Sequence, residues 1–277
     1  MSYEALEPIF DRLYPHHVLA RAFAPAVAKI KRRVEKYSGM KILDLCCGTG
    51  RGLGAFARTL DKPKLLGIDN NPAMIRKAKQ NFPKKDFGKA RFLRRNVLEL
   101  KSGDIEFGTY DLALITGGSL HHFAAPERRR LLAIADKALV PGGMLIFDVI
   151  NRAESKKTGT VHPFVRNYFR DDDGILTAVI YVTHYRRSRI WQQNIVLKWS
   201  AGDGKAPRMT CDSAELFPLS TRHARIEAAK AGFRPYELGI EWVPSTYMCF
   251  TKRTSITQIP RVLTDGPVRK KPMRRGR

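Results

Sequence analysis

The stretch Lys41–Gly54, KILDLCCGTGRGLG, decides how the rest of the sequence is interpreted. The mostly apolar run KILDL predicts a buried strand, and the glycines after it predict a tight turn into a helix. Gly48 and Gly50 carry no side chain, so the backbone N–H groups of this turn can approach a ligand closely. The stretch therefore predicts a nucleotide-binding turn after the first strand of an α/β sheet.

The glycine pattern alone does not identify the nucleotide. A Walker phosphate loop is excluded, because no Gly-Lys-Ser/Thr follows the glycines. Gly50, Gly52 and Ala55 satisfy the dinucleotide pattern G-x-G-x-x-G/A, and Asp69 follows about 20 residues later, where a ribose acceptor is expected. That match begins several residues after the strand end, out of register with the fingerprint. A NAD-linked oxidoreductase therefore stays a distant alternative.

Strands and helices alternate from Met40 to Ile150. The predicted strands are KILDL, KLLGID, ARFLRR, YDLALIT and GMLIFDVI, and the predicted helices span about 52–60, 72–82 and 126–139. Short, nearly continuous apolar strands that alternate with helices indicate a parallel sheet covered on both faces. VPGG ends the third helix in this scheme.

The pattern changes after Ile150. ILTAVIYVTHY (175–185) and RIWQQNIVLKW (189–199) are rich in β-branched and aromatic residues, which predicts an antiparallel meander. In each strand, one face should pack against the protein and the other should contact solvent or ligand. In the second strand, one face carries Trp191, Ile195, Leu197 and Trp199, and the other carries Gln192, Asn194 and Lys198. A helix with Ser220 or Thr221 as N-cap and Gly232 as its stop follows, then the strands RPYELGI and TYMCFTKR.

Acidic residues and glycines recur at the strand ends of this pattern. Asp44 ends the first strand, Asp69 ends the second in LLGIDNNPAMI, Asp111 opens the fourth in YDLALITGGSLHHF, and LVPGG precedes the fifth. Together these motifs resemble the class I S-adenosylmethionine-dependent methyltransferases, and LDLCCGTG is similar to loops of the small-molecule and ubiquinone/menaquinone biosynthesis group. The resemblance covers Met40–Ile150 and the closing helix and two strands. It implies a Rossmann-like, doubly wound, seven-stranded, mostly parallel sheet with helices on both faces, plus an antiparallel β insertion after the fifth strand.

The resemblance also implies a division of the chain. Residues 1–38, in which Leu19, Phe23, Val27, Ile30 and Val34 form an apolar stripe, become an N-terminal helical cap. Residues 39–150 and 220–253 become the S-adenosylmethionine-binding domain, and residues 151–219 become an insertion that covers the substrate. Residues 254–277, rich in Pro and Arg, are expected to be a basic disordered tail.

The resemblance implies S-adenosyl-L-methionine as the methyl donor, and the residues that would bind it are assigned from the matching motif positions. Asp44 would orient the glycine loop and the ligand's amino group, and Asp69 would accept from both ribose hydroxyls. The rest of the implied cofactor site comprises Cys46, Gly48, Thr49, Gly50, Thr116 and Gly117 around the methionine part, and Asn70, Met74, Asn96 and Val97 around the nucleoside. Two positions depart from the family pattern, because Cys46 replaces the first loop glycine and Asn96 replaces an acid at the adenine edge.

Methyl transfer from a sulfonium needs no metal, and much of its rate can come from alignment of the reactants. His121 and His122 in GGSLHHF are the candidate general bases, since imidazole titrates near neutrality. The alternative for each is a hydrogen-bonded structural histidine. The four cysteines, none in a Cys-x-x-Cys pair, are expected to be reduced, with no metal site. Tyr181, Tyr185, Trp191 and Trp199 are candidates for an apolar acceptor site, or plain core.

The formal net charge of the 277 residues is +24. From Thr251 onward nine Lys or Arg stand against Asp265, a net +8, which leaves +16 for the preceding residues. Such a field attracts RNA, an anionic lipid surface or acidic substrates, although it also serves solubility. The resemblance implies an enzyme that methylates an O, N or C nucleophile of a small molecule, and its expected location is the cytoplasm. The alternatives are a methyltransferase for RNA or a ribosomal or translation protein, and a non-enzymatic binding protein.

Overall fold

The computed structural model contains two β-sheets, and the apolar runs of the sequence form many of their strands. The structure describes residues 6–15, 20, 21, 23, 39–83, 87, 90–150, 161–170, 175–186, 189–200, 206–236 and 245–253.

Seven strands form the main sheet. They are β1 (Lys41–Leu45), β2 (Lys64–Asp69), β3 (Arg91–Arg94), β4 (Tyr110–Ile115), β5 (Leu139–Ile150), β10 (Phe233–Tyr236) and β11 (Ser245–Lys252). The spatial order is β10-β11-β5-β4-β1-β2-β3, in which β1 to β5 run parallel and β11 runs antiparallel to both β5 and β10. Read from β3, the parallel strands follow the doubly wound order 3-2-1-4-5. The predicted fold class is confirmed.

The helices of the parallel half lie within a residue of their predicted ranges, except that the first ends at Ala57, three residues before its predicted end. They are α2 (Arg51–Ala57), α3 (Pro72–Asn81) and α4 (Ala125–Ala138), and α5 (Thr221–Lys230) belongs to the closing unit. Ser220 is the N-cap of α5, since its hydroxyl oxygen accepts from the His223 amide at 3.2 Å, and Gly232 follows the helix with φ +97°. None of the described helices is long and apolar enough to cross a bilayer.

Two apolar clusters sandwich the main sheet. One holds Leu43, Leu45 and Phe147 with α4 and α5, and the other holds Ile42, Leu53 and Phe56 on the opposite face. Successive residues of one strand thus enter opposite clusters, because strand side chains alternate between faces. The burial of both faces explains why the strands are apolar without a period of two.

One boundary prediction was wrong. β5 begins at Leu139 and includes Val140-Pro-Gly-Gly, four residues before the predicted start at Gly143. Tyr110 pairs with Leu139, and the register shifts before Leu112 pairs with Met144. Pairing with β4 resumes at Met144, so the glycines form an irregular entry into the strand between two paired positions.

A second, four-stranded antiparallel sheet lies after β5. Its strands are β6 (Val161–Arg170), β7 (Ile175–Arg186), β8 (Arg189–Ser200) and β9 (Arg208–Leu216), in sequential order. The sequence predicted β7 and β8, and missed β6 and β9. β9, RMTCDSAEL, was missed because it has little of the β-branched character that marks strands.

The N-terminal segment contacts both sheets. A 3₁₀ turn at Glu7–Ile9 leads into the short helix α1 (Phe10–Leu13). Leu6, Ile9 and Leu13 pack against Val179 of β7 and Val196 of β8. Of the predicted apolar stripe, Phe23 is fully buried beside Phe56 and Tyr247, with ring centroids 5.6 and 5.0 Å away. The stripe positions Leu19, Val27, Ile30 and Val34 lie outside the described residues, as does the tail 254–277.

Candidate active site

The carboxyl ends of the parallel strands bring four polar side chains to one edge of the main sheet. Asp44 lies on β1, Asp69 ends β2, Thr116 follows β4, and Asp148 lies near the end of β5. β1 and β4 are neighbours at the point where the strand order reverses. Open α/β sheets bind their ligands in the crevice at such a point. Asp111 lies at the other end of β4, where its carboxylate accepts from the Lys41 amide at 2.8 Å, so its role is structural.

The glycine loop is held by Asp69. Its two carboxylate oxygens accept from the backbone amides of Gly48 and Asn71, each at 2.9 Å. Asn71 in turn caps α3 by accepting from the amides of Ala73 and Met74. Burial raises the pKa of Asp69, and the amides of Asn71 and Gly48 lower it in part. Asp69 therefore joins the end of β2, the loop and the start of α3.

The loop backbone turns through the left-handed region. Gly48 and Gly50 have φ of +54° and +86°, and Cys46 has φ +70°. A side chain in this region is strained, and the half-buried Cys46 tolerates it by packing against the apolar cluster that contains Leu43 and Leu45. Burial raises the thiol pKa of Cys46 and of Cys47. Both are therefore protonated at neutral pH, which makes them poor nucleophiles.

Asp44 is a buried acid without a partner. Its side chain is fully buried, and neither carboxylate oxygen has a hydrogen-bond partner among the described residues. Burial and the nearby charge of Asp69 raise its pKa to about 8, against an opposing effect of Arg51 and the Leu53 amide. Gly52 permits this arrangement, because a Cβ there would lie 2.6 Å from Asp44 Oδ2 and 2.9 Å from Thr116 Oγ1. An unsatisfied carboxyl at this edge is suited to a cationic or hydrogen-bond-donating ligand.

The N-terminal segment binds the glycine loop through Asp11. One Asp11 oxygen accepts from Thr49 Oγ1 at 2.5 Å and the other from Asn81 Nδ2 at 2.8 Å. Asn81 Nδ2 also donates to the Thr49 carbonyl at 3.1 Å. The buried Thr49 hydroxyl is therefore directed at the N-terminal segment. The sequence predicted Thr49 as a cofactor residue, and its contacts are those of a residue that supports the loop.

Arg51, at the start of α2, lies between the N-terminal segment and the strands β5 and β11. Its Nη1 donates to the Tyr14 carbonyl at 3.0 Å, and its guanidinium lies 5.6 and 5.1 Å from the ring centroids of Phe10 and Tyr14. Burial lowers its pKa, and Tyr247, Tyr14 and Asp148 oppose that effect. No acid of the described ranges forms an ion pair with it. The cation therefore keeps N–H donors for another group.

Tyr247 on β11 faces the same region. It pairs with Asp148 of β5 across the antiparallel strands and is 9% exposed. Burial and the Asp148 charge raise its pKa, so its hydroxyl stays protonated at neutral pH. Arg51, Asp148 and Tyr247 were missed by sequence reasoning. Asp148 carried a usable signal, since it is a third acid near the carboxyl end of a predicted parallel strand.

The predicted nucleoside residues lie beside β2 and β3. Met74 is 3% exposed on the first turn of α3, and Val97 is buried in the core cluster under α4. Asn96 is exposed; its Oδ1 accepts from the Leu98 amide at 3.1 Å and its Nδ2 donates to Glu99 at 2.8 Å. Asn70 is exposed beside Asp69, with its carbonyl oxygen 3.4 Å from Arg94 Nε.

The turn after β4 presents backbone groups. Gly117 and Gly118 have φ of +77° and +73°, and the Gly118 amide donates to both oxygens of Asp148 at 3.0 Å. Ser119 Oγ donates to the Thr116 carbonyl at 2.7 Å. The turn holds Thr116 and the exposed Gly117 at the same edge as Asp44.

Both ring nitrogens of His121 bind backbone groups. Nδ1 lies 3.1 Å from the Phe217 carbonyl oxygen, and Nε2 accepts from the Ile150 amide at 3.1 Å. A neutral imidazole with its proton on Nδ1 satisfies both contacts. The ring is 1% exposed. This geometry favours the structural alternative for His121, which joins the end of β5 to the segment after β9. His122 is half-buried on the same turn.

Comparison with known sequences agrees with this arrangement. Residues 42–143 match the sequence model of a family described as a methyltransferase domain. These residues contain β1 to β4, the glycine loop and the acids Asp44 and Asp69. Over these residues the chain is similar to that methyltransferase family, which agrees with the resemblance seen in its motifs.

Relatives of this methyltransferase domain cover only part of the chain. The demethylmenaquinone methyltransferase of Lactiplantibacillus plantarum is 32% identical over 111 residues, which are 39% of this chain and 44% of that protein. The chain thus matches less than half the length of this curated relative. Its similarity lies in the domain and leaves the rest of both proteins unmatched.

Solved structures share the fold over a greater length. CalS10, an amino pentose methyltransferase from Micromonospora echinaspora, superposes with a TM-score of 0.67 at 19% identity, over 91% of this chain and 98% of that one. The sugar N-methyltransferase KedS8 from Streptoalloteichus superposes with a TM-score of 0.63 at 17% identity, over 84% and 88%. At such identities the likeness concerns the fold.

Replacement of Cys46 by Gly tests the strain in the loop. Relief of the left-handed strain and the greater freedom of glycine in the unfolded chain are each about 1 kcal/mol and oppose each other, so the free energy of unfolding should change by less than about 0.5 kcal/mol. The matched control is Cys47→Gly, which removes a buried side chain and should cost about 1–3 kcal/mol. Urea denaturation measures both. Equal destabilisation by the two substitutions would contradict the strain.

Replacement of His121 by Ala distinguishes a structural histidine from a base. The Phe217 carbonyl and the Ile150 amide would each lose a buried partner, so unfolding should become easier by about 2–4 kcal/mol. The control His223→Ala, on the exposed side of α5, should cost less than about 1 kcal/mol. A variant with unchanged stability and a turnover about 100-fold or more lower would instead identify His121 as the base.

Asp44 should make the unliganded protein less stable as the pH rises. Its folded pKa of about 8 exceeds the ordinary value of 3.8, so its favourable contribution is complete below pH 4 and is lost as the pH rises to 8. Relative to Asp44→Asn, the wild-type free energy of unfolding should fall by up to about 1.4 kcal/mol per pH unit in that window. Urea denaturation of both proteins at pH 5, 7 and 9 measures this difference. Parallel pH profiles would show that Asp44 does not titrate there.

Proposed function

We propose that the chain transfers a methyl group from S-adenosylmethionine to an O, N or C nucleophile of a small molecule, by in-line displacement. The observation that carries this proposal is the pair of acids around the glycine loop. Asp44 is buried with no hydrogen-bond partner among the residues that the structure describes, and Asp69 holds the loop amides with its carboxylate. Such a pair suits a ligand with a cationic amino group at one end and hydroxyls at the other.

The residues present fit this cofactor. Asp44 would hold the amino group, and Gly48 and Gly50 with Cys46 would line the methionine part, since their positive φ leaves the loop backbone open to a ligand. The Asp69 oxygens accept from the amides of Gly48 and Asn71, and a carboxylate has acceptor capacity beyond two hydrogen bonds, so it could also accept from the ribose hydroxyls. The remaining assignments are Thr49 as a loop support, Thr116 and Gly117 beside the methionine part, Met74 against the adenine, and Asn70, Asn96 and Val97 at the nucleoside edge.

S-adenosylmethionine, when bound, supplies an electrophilic methyl on a sulfonium. The chain's own contribution is to position the acceptor and to exclude water. Arg51 and Tyr247 are the polar groups that we assign to the acceptor side. Tyr247 acts there as a hydrogen-bonding group and not as a base, because its raised pKa keeps the hydroxyl protonated. His122 remains the candidate base, since the ring nitrogens of His121 are both engaged.

The small-molecule acceptor is supported by the cover over this edge. Asp11 ties the N-terminal segment to the glycine loop, and Leu6, Ile9 and Leu13 tie the same segment to the second sheet. A site bordered by this segment suits a small acceptor better than a folded macromolecule. CalS10 and KedS8, whose descriptions name sugar substrates, have the same fold and agree with this class.

Calorimetric titration with S-adenosylmethionine, S-adenosylhomocysteine and NAD tests the proposal. Both sulfur ligands should bind the wild type, and Asp69→Asn should weaken them roughly 100-fold, because charge-assisted bonds to two hydroxyls are lost. The matched control is Asp111→Asn, an acid of the same sheet at the opposite edge, which should bind normally. Tight NAD binding without a response to either sulfur ligand would overturn the proposal.

A further inference from the structure

Arg51 is a half-buried cation whose hydrogen-bonding capacity is mostly unused. Its Nη1 donates to the Tyr14 carbonyl at 3.0 Å, and its other nitrogens donate to no atom of the described residues. A guanidinium presents several N–H donors in a rigid fork and stays charged in proteins. Polar groups that leave bulk water are normally paired, so the remaining N–H groups point to a ligand.

The acids near Arg51 do not neutralise it. Asp148 lies close enough for its charge to act on Arg51, but its two oxygens accept from an amide of the turn after β4. Asp11 is engaged by the glycine loop and by α3. Burial and the nearby charge of Asp69 raise the pKa of Asp44 to about 8, so this acid is mostly protonated at neutral pH. The guanidinium therefore retains a positive charge that no ion pair of the described ranges offsets.

Aromatic rings and a hydroxyl surround this cation. The rings of Phe10 and Tyr14 lie 5.6 and 5.1 Å from the guanidinium, and their centroids are 5.0 Å apart. Tyr247 also lies near it, with a protonated hydroxyl that forms no hydrogen bond within the described part of the chain. A cation, a hydroxyl donor and an apolar wall therefore meet at one place.

The aromatic wall differs from the one that the sequence suggested. Trp191 and Trp199 lie on the face of β8 opposite to Val196, which is fully buried against the N-terminal segment. Trp191 is 41% exposed. These two residues are therefore on the far side of the second sheet from the N-terminal segment, and Phe10 and Tyr14 replace them as candidates for the acceptor wall.

The neighbours of Arg51 favour the acceptor over the donor as its ligand. The predicted donor site is made by the loops after the strands β1 to β4, within the residues 42–143 that match the family model. The N-terminal segment and β11, which supply the rings and the hydroxyl, lie outside that match. Substrate choice is determined by such additions to a shared fold, because the fold itself does not determine the substrate.

A carboxylate is the group that matches these donors. The guanidinium fork binds a planar carboxylate through two parallel N–H···O bonds, and the Tyr247 hydroxyl is a further donor. A phosphate has similar oxygens, but its second charge would add repulsion from Asp148 and a larger desolvation cost. The net charge of +24 attracts small anions to the chain. An organic acid with an apolar body would contact both the cation and the rings of Phe10 and Tyr14.

We propose that Arg51 and Tyr247 form a subsite for a carboxylate of the methyl acceptor, which makes the substrate class small organic acids with an apolar body. This inference rests on the proposed function, because it names the acceptor of that same site. The carboxylate is held and not methylated, since the fork engages both of its oxygens and lowers their nucleophilicity. The methyl group is transferred to another atom of the acceptor.

Calorimetric titration with benzoate and benzamide tests the subsite. The two probes have the same shape and differ in charge, and each is titrated into the full chain saturated with S-adenosylhomocysteine. Benzoate should bind the wild type at least about 10-fold more tightly, because its bonds to Arg51 are charge-assisted. Arg51→Gln, which keeps an amide donor for the Tyr14 carbonyl, should abolish this preference. Equal binding of the two probes to the wild type would overturn the subsite.

Two further variants sharpen this titration. Tyr247→Phe removes only the hydroxyl and should reduce the preference for benzoate about 3-fold or more. The matched control Arg58→Gln changes an exposed arginine that follows the last residue of α2, and it should keep the full preference. Loss of the preference in Arg58→Gln as well would show that the general charge of the chain, and not Arg51, attracts benzoate, and would overturn the subsite.

Donor analogues distinguish the carboxylate of the acceptor from that of the donor. S-adenosylhomocysteine carries a carboxylate, whereas 5′-methylthioadenosine has the same nucleoside without the amino acid end. Arg51→Gln should change the affinity for each by less than about 3-fold. A loss of about 10-fold or more for S-adenosylhomocysteine alone would assign Arg51 to the donor and overturn the acceptor subsite. A wild type that binds neither analogue would overturn the proposed function as well, whereas binding of both without a preference for benzoate would overturn the subsite alone.

A crystal structure of the wild type with S-adenosylhomocysteine and benzoate needs no substitution. The benzoate carboxylate should lie within hydrogen-bond distance of the Arg51 guanidinium and the Tyr247 hydroxyl. Benzoate at any other place, or the carboxylate of S-adenosylhomocysteine on Arg51, would overturn the subsite even if every Arg51 variant failed to fold.

Discussion

The carboxylate of Asp69 is the constraint on which the arrangement of the candidate site depends. Its two oxygens fix the amides of Gly48 and Asn71, so the end of β2, the glycine loop and the first turn of α3 take one geometry. With the loop fixed, Thr49 and Asn81 stand where Asp11 can join them, and Arg51 stands at the start of α2. One acid therefore organises both the glycine loop and the attachment of the N-terminal segment to it.

The main sheet could be predicted from the sequence to a large extent. Buried parallel strands are apolar on both faces, which makes KILDL, KLLGID and YDLALIT conspicuous between glycines and acids. The acids Asp44 and Asp69 were found for the same reason, since each ends an apolar run. The sequence places VPGG between the third helix and the fifth strand, because glycine and proline disfavour strands. In the structure it belongs to β5, whose first residue, Leu139, pairs with Tyr110.

The contacts between distant segments could not be predicted. The periodicity of β8 identified its two faces but not which of them packs, because both contain residues that can be buried. The N-terminal segment decides the question, since Leu6, Ile9 and Leu13 cover Val179 and Val196. Likewise nothing in the local sequence of Arg51 indicates that Tyr14 and Tyr247 lie beside it. Contacts of this kind depend on tertiary packing, and short-range sequence patterns carry no information about it.

The reversal of β11 has a consequence for how the site is made. A strand antiparallel to β5 brings its first residues, and not its last, to the edge where the parallel strands end, which is why Tyr247 lies opposite Asp148. Arg51 is thus surrounded by residues from both ends of the chain, Tyr14 near the start and Tyr247 near the end. During synthesis the glycine loop can form as soon as β1, β2 and α3 have left the ribosome, whereas the opposite wall must wait for nearly the whole polypeptide. A nascent chain that lacks β11 therefore holds half of a crevice.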